Sequence, residues 1–296
     1  MTLLVAGSAN LDFVVRVPHI PAPGETVLGG GLQTFPGGKG ANQAMACARA
    51  GGAATQMLLA LGADAYAAPI EASLREAGVA LHIVRAASAA TGTAFIGLAE
   101  NGENAIIVAS GANATLAVAD LPPLAGISHL LLQLETPLVV VAAYAQRARA
   151  AGVTVVLNAA PAQPLPVALL RDVDVLIVNE GELAAITGRT GSVVDLLGDI
   201  NVPTCIVTQG AQGCCALSRG KLLLQPAFAV DVVDTTAAGD TFCGALVAAL
   251  SLGEPLPAAL RRASAAAALA CTRMGAQTSI PSRAEVDAML ADSTAI

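Results

Sequence analysis

The sequence predicts an α/β protein with a doubly wound, mostly parallel sheet, helices on both faces and a small β-sheet lid. Three observations carry this. Short apolar runs ending in polar or glycine residues recur along the chain; helical stretches alternate with them; and two segments interrupt the alternation with prolines, glycines and a hairpin signal. The chain reads as one domain over 1–296 with lid excursions at about 13–35 and 91–109, since no repeat or linker divides it.

Composition narrows the function classes. Hydrophobic residues make up 55% and charged residues 12% of the 296, with no Trp, five Phe and two Tyr, so the core is aliphatic and Ala-rich. A mean hydropathy of +0.67 raises the question of a membrane span. The charge-free run from Ala150 to Leu170 cannot be one, because Pro161, Pro164, Pro166, Gly152 and Asn158 interrupt it. With no basic flank or cleavage site at the N-terminus, a soluble cytoplasmic protein without a membrane partner is expected. A net charge of −7 without a basic cluster argues against nucleic-acid binding. The six cysteines, Cys47, Cys205, Cys214, Cys215, Cys243 and Cys271, form no C-x-x-C pair and read as reduced core residues.

Leu3 to Gly7 is an apolar run ending in Gly, as expected of a buried parallel strand opening into a site. Asn10 and Asp12 follow on its loop; spaced two apart on extended chain, they suit two hydroxyls of a ligand, or simply make a polar turn. Phe13 to Phe35 reads as short strands around Pro18, Pro21, Pro23 and Gly29-Gly30-Gly31. A second β-region begins near Thr91, where Thr93 to Leu98 and Ala105 to Val108 flank the turn signal Asn101-Gly102. Between them Pro36-Gly37-Gly38-Lys39-Gly40-Ala41-Asn42-Gln43-Ala44 runs into the helical Met45 to Ala50, stopping at Gly51-Gly52. It is not a Walker A loop, because Gln33 and Gly40 stand where that pattern needs Gly and Ser or Thr.

Further strands are expected at Met57–Leu61, His129–Leu134, Val153–Leu157, Val173–Val178 and Cys205–Thr208, with helices at Ala65–Ala77, Pro137–Ala151, Glu182–Thr187, Gly239–Leu250 and Pro257–Arg273. Glu135, Asn158, Asn179 and Thr208 close strands, which is where open α/β sheets hold ligands. Asn179 and Glu182 also have the spacing of a capping box. The most informative stretch is Asp234-Thr235-Thr236-Ala237-Ala238-Gly239-Asp240-Thr241-Phe242, small residues and a carboxylate leading into the apolar run Cys243 to Leu250. Unpaired N–H groups at such a helix start can face an anion, which suggests phosphoryl chemistry.

Asn10-Leu11-Asp12, Pro23-Gly24-Glu25-Thr26, the glycine-lysine segment, Gln133-Leu134-Glu135, Asn179-Glu180-Gly181-Glu182 and Asp234 to Phe242 together resemble the ribokinase, or PfkB-type, carbohydrate kinase family over essentially the whole chain. The resemblance implies transfer of the ATP γ-phosphate to a sugar, the 5-hydroxyl of D-ribose leading, in a ribokinase-like fold whose lid also makes a homodimer contact. It implies sugar contacts from Asn10, Asp12, Gly38, Lys39, Asn42, Glu135 and Asp240. Asp240 would be the base, with Ala237 leading into an anion hole at Ala238, Gly239 and Asp240. Asn179 and Glu182 would serve Mg2+ through water, and Thr208, Gly210, Gly213, Gly239 and the position of Ser264 the nucleotide. A K+ ion would sit between Asp234 and Thr236 on one loop and Ala270, Arg273, Gly275 and Ser279 on the other.

The sequence departs from the family at Ser264, where a His often lies beside the adenine, and in the short segment from Gly188 to Pro203. His19, His82 and His129 read as structural. Competing acceptors are deoxyribose, fructose, a keto-deoxy sugar acid or a nucleoside; Phe13 and Phe35 are the only lid aromatics near enough to stack a base. A sensor without catalysis would not need Asp240 beside an anion hole, and a dehydrogenase lacks its G-x-G-x-x-G after the first strand.

Overall fold

The structure is a computed structural model and describes residues 2–99 and 103–292, so the Asn101-Gly102 turn signal lies outside the described residues. The strands are β1 (Thr2–Ala6), β2 (Asn10–Val17), β3 (Leu32–Gly37), β4 (Thr55–Gly62), β5 (Ala80–Ala86), β6 (Gly92–Ala99), β7 (Asn104–Ala109), β8 (Ile127–Leu132), β9 (Thr154–Asn158), β10 (Val175–Asn179), β11 (Thr204–Thr208), β12 (Cys214–Ser218) and β13 (Lys221–Gln225). The helices are α1 (Lys39–Arg49), α2 (Ala67–Glu76), α3 (Leu138–Ala150), α4 (Val167–Arg171), α5 (Glu180–Thr187), α6 (Val193–Gly198), α7 (Ala238–Ser251), α8 (Leu256–Cys271) and α9 (Arg283–Asp292).

Nine strands form the main sheet in the order β13-β12-β11-β10-β9-β8-β1-β4-β5. From β5 to β11 the pairing is parallel, and β12 and β13 close the edge as an antiparallel hairpin. Parallel pairing requires crossovers, and these place one apolar cluster on each face. Ala44, Ile70, Leu246, Leu260 and Val286 pack on one face, and Val141, Tyr144, Leu169, Leu183 and Leu197 on the other.

A second sheet of order β3-β2-β6-β7 stands beside the first. Only Gly7, Ser8 and Ala9 separate β1 from β2, so the central strand of one sheet feeds directly into the other. This corrects the expectation for Asn10 and Asp12: they lie on β2, not on a loop. Residues 10 to 12 are all buried, so polar residues here occupy positions that an apolar strand pattern would have claimed.

The main strands and helices fall where the sequence predicts, give or take an end. Helix α1 begins already at Lys39, and the charge-free run from Ala150 resolves into the end of α3, then β9 and α4. Among the described residues no helix is long and apolar enough to cross a membrane. The β12–β13 hairpin was not predicted; its turn is Arg219-Gly220, both at positive φ (48° and 79°), a tight turn made without the usual Asn-Gly pair. All six cysteines are free thiols, and burial pushes the Cys205 thiol up to about 12.

Candidate active site

Strand order in the main sheet reverses at β1, which has β8 on one side and β4 on the other; a crevice opens at the C-terminal ends of β1 and β8. Small residues shape it. A Cβ on Gly7 would lie 1.9 Å from Gln133 Oε1, and one on Gly38, at φ +89°, would lie 2.8 Å from Ala9 Cα. On the far side α7 crosses α1 closely, because a Cβ on Gly244 would meet Ala46 Cβ at 2.5 Å and the Gln43 carbonyl oxygen at 2.6 Å. That crossing brings the start of α7 against the start of α1.

Asp240, in the first turn of α7, is buried there. Its Oδ2 accepts from Asn42 Nδ2 at 3.0 Å and its Oδ1 from Gln43 Nε2 at 2.9 Å. Asn42 is left with a buried Oδ1 that has no partner. Lys39 is half-buried beside these groups, and the Asp240 charge raises its pKa against the opposing effect of burial, with Glu135 and Glu182 adding to the rise. An ammonium among carboxylates stays protonated.

Just beyond β8, Glu135 Oε2 accepts from Ser8 Oγ at 2.5 Å and from the Lys39 backbone N–H at 3.1 Å. Asn10 is oriented by Asn113, whose Nδ2 donates to Asn10 Oδ1 at 2.8 Å while its own Oδ1 accepts from Ala9 N at 3.0 Å. The Asn10 amide nitrogen has no hydrogen-bond partner among the described residues. Asp12 accepts no hydrogen bond among the described residues, and burial, reinforced by the Glu135 and Asp240 charges, lifts its pKa from 3.8 to about 7. Its carboxylate lies against Gly37, where a Cβ would come within 2.0 Å of Oδ2.

Two cavities adjoin these residues. One of about 610 Å³ lies under the second sheet and is lined by Asp12, Phe35, Ile96, Asp234, Thr236 and Gly275. Phe13 is not part of it; its ring stacks on Phe95 with centroids 5.4 Å apart and meets Tyr66 edge-on. The other, about 550 Å³, is lined by Thr208, Gly210, Gly213, Phe228, Gly239 and Ser264, which brings five sequence-predicted nucleotide positions together. Gly213, at φ +97°, has no alternative, since a Cβ would lie 2.1 Å from the Gln225 carbonyl.

At the junction of the cavities Ala237 caps α7 in the left-handed region, φ 59° and ψ 9°. The Ala238 N–H donates to the Thr235 carbonyl at 3.2 Å, so within the predicted anion hole Gly239 and Asp240 supply the first-turn N–H groups without such a partner. Asp234 ties the adjoining loops: Oδ1 accepts from the Thr236 backbone N–H at 2.9 Å and its hydroxyl at 2.6 Å, and Oδ2 from Gly275 N at 2.9 Å. Burial opposes ionisation, but these bonds hold the Asp234 pKa below its ordinary value. Ala270 O accepts from Arg273 N at 3.3 Å, the Arg273 guanidinium reaches Glu285, and Ser279 Oγ donates to Ala276 O at 2.8 Å, so the side chains of Arg273 and Ser279 are already engaged by neighbouring groups.

Asn179 and Glu182 form the capping box, each accepting the other's backbone N–H at 2.8 Å at the start of α5. They do not line either cavity, although burial raises the Glu182 pKa and its charge is felt by Lys39. No group of three or more His, Cys, Asp or Glu side chains that could hold a metal occurs among the described residues. The histidines lie elsewhere: His19 bonds Glu25, His82 bonds Gln56 and His129 bonds Ser128. Sequence reading missed Gln43, Ser8 and Asn113. The first two stand in or beside the quoted motifs, but Asn113 gives no signal, being in a short 3-10 turn far along the chain from the residues it orients.

Residues 2–283 match the pfkB family carbohydrate kinase model. The chain is 40% identical to the ribokinase of Haemophilus influenzae over 96% of each protein. Among solved structures it is similar to the ribokinase of Thermotoga maritima (TM-score 0.92, 36% identity, covering 98% of this chain and 99% of that one). It is also similar to Arabidopsis thaliana ribokinase complexed with ribose and ATP (TM-score 0.89, 35% identity, covering 97% and 98%). With its two sheets, its glycine-lined crevice and these matches along nearly its full length, the chain belongs to the pfkB family of carbohydrate kinases.

Proposed function

We propose that this kinase transfers the γ-phosphate of ATP to the 5-hydroxyl of D-ribose. The observation that carries the reading is the meeting, in one crevice, of a fixed carboxylate, Asp240, with sugar-facing groups that are left unbonded, Asp12 and the Asn10 amide nitrogen. Ribose offers several hydroxyls to Asn10, Asp12, Gly38, Lys39, Asn42 and Glu135, and buried polar groups of this kind reject analogues that leave them unpaired. Asp240 accepts the proton of the attacking hydroxyl, and the Gly239 and Asp240 N–H groups, with Ala238 once released from Thr235, receive the charge on the transferring phosphoryl. Lys39 balances the carboxylates around it. ATP occupies the cavity of Thr208, Gly210, Gly213, Gly239 and Ser264, whose small residues admit the nucleotide.

Mg2+ bound with ATP supplies charge neutralisation between the phosphates. Glu182 fits a water-mediated part in holding it, because the capping box uses Oε2 and leaves Oε1 without a hydrogen-bond partner among the described residues. K+ fits the junction of the two loops, where the Asp234 carboxylate and main-chain oxygens suit a large, weakly hydrated cation. The exposed outer apolar residues of the second sheet, Leu32, Phe95 and Ile107, support a homodimer through the lid. A nucleoside acceptor is disfavoured, because Phe13 is already stacked on Phe95 and only Phe35 reaches the cavity.

The test is an ADP-release screen over pentoses, deoxyribose, fructose, a keto-deoxy sugar acid and nucleosides, with and without potassium. Ribose is expected to give the highest kcat/KM. Ribose among the poorest substrates would end the assignment.

A further inference from the structure

The Asp240 carboxylate is the end of a longer buried chain of amides. Gln43 Nε2 donates both to Asp240 Oδ1 and to Asn158 Oδ1, each at 2.9 Å, so both of its N–H bonds are used. Gln43 Oε1 accepts from Gln133 Nε2 at 2.6 Å, and Asn158 Nδ2 donates to the Ile177 carbonyl at 3.2 Å. The direction of every link is forced. A carboxylate only accepts, so Gln43 must turn its nitrogen to Asp240; its oxygen then faces Gln133, which must present nitrogen in turn. Flipping any of these amides would set oxygen against oxygen.

The surroundings are built for this chain. Gln43 is fully buried and Gln133 nearly so, and Gln133 Oε1 finds no partner at all. Gly7 makes the room for Gln133, and Gly244 lets α7 approach the backbone of Gln43. Folding alone has no use for two buried glutamines, one with an orphaned oxygen, where leucines of similar size would cost no desolvation. A carboxylate that must keep one rotamer does have such a use.

We propose that Gln43, backed by Gln133, is a positioning residue for phosphoryl transfer: it fixes the Asp240 carboxylate relative to the start of α7 and to the ends of β8 and β9. The inference rests on the reading of Asp240 as the group that receives the acceptor proton. Gln43 itself reaches no substrate, so its loss acts on kcat rather than on sugar binding.

The test uses the full chain at saturating ATP, with kcat and sugar KM measured across pH and folding checked by thermal unfolding. Gln43→Leu is expected to lower kcat by about 10²-fold, the scale of a misplaced catalytic group, with sugar KM changed only slightly. Gln133→Leu, one link further away, lowers kcat by less. Gln43→Glu keeps shape and places a second carboxyl against Asp240, where the pair shares a proton. Its kcat deficit is therefore large at pH 8 and shrinks toward pH 6, as the protonated carboxyl regains the power to donate; a purely structural defect has no such dependence. Adding Asp240→Asn to Gln43→Leu costs little beyond Asp240→Asn alone.

If Gln43→Leu does not fold, the Gln43→Glu pH profile and Gln133→Leu decide. Asp240→Asn with near-normal turnover overturns the role of Asp240 itself. An inactive Asp240→Asn beside wild-type kcat in the Gln43 and Gln133 variants overturns the positioning inference alone.

Discussion

Asp240 in the first turn of α7 and Asp12 near the start of β2 are both buried in the crevice, yet Asp240 accepts an amide hydrogen bond on each oxygen and Asp12 accepts none among the described residues. The difference divides the labour of the site. Asp240 belongs to the close crossing of α1 and α7, where its geometry is settled before any ligand arrives. Asp12 is on the second sheet, lifted to about 7 by burial first and by its acidic neighbours second. On the proposed function, one group is organised for the reaction and the other for recognition.

The comparison breaks most sharply at Asp240. Asp240→Asn is expected to lower kcat by about 10³-fold while calorimetry shows sugar affinity nearly intact; a parallel loss of affinity would make Asp240 a binding group instead. Asp12→Ala is expected to do the reverse, raising the sugar Kd by roughly 10- to 100-fold through loss of a charged hydrogen-bond partner, with a smaller effect on kcat. Unchanged sugar affinity would remove Asp12 from the recognition set.

Asp12 also makes a pH prediction. Its folded pKa is raised above the unfolded value of 3.8 to about 7, so between those values the folded protein holds a proton that the unfolded chain has lost. Stability falls as pH rises through that window, and the cost is fully present above about pH 7. Asp12→Asn is therefore expected to raise the Tm of the sugar-free protein at pH 8 and to leave it unchanged near pH 4. A rise of equal size at both would assign the gain to packing. The smallest effect is expected on the loop before α7: if the proposed K+ site is there, Asp234→Asn should raise the potassium concentration for half-activation several-fold, with kcat at saturating potassium little altered.

Much of the fold was legible because parallel strands buried on both faces leave continuous apolar runs with polar residues at their ends. Glu135, Asn158, Asn179 and Thr208 stood out for that reason. The β12–β13 hairpin did not, because Arg219-Gly220 carries no usual turn signature. Asn10 and Asp12 looked like loop residues, since buried polar side chains on a strand defy the alternation that identifies one. The helix start at Asp240 was readable from local sequence. What it touches was not: Gln43 lies 197 residues away along the chain, and Gln43 and Gln133 lie 90 apart, so only the folded sheet shows that two amides meet the carboxylate and a third stands behind one of them.

The direct passage from β1 into β2 has a mechanical consequence. Asn10 and Asp12 sit at the fulcrum of the second sheet, and Val17 at the far end of an eight-residue strand. At about 3.3 Å per residue, a swing of about 10° about Ala9 carries the far end roughly 4 to 5 Å but Asp12 only about 2 Å. Such a sheet would act as a lever with its grip near the pivot: on the proposed function, a swing that opened it widely for sugar exchange would leave Asn10 and Asp12 close to register.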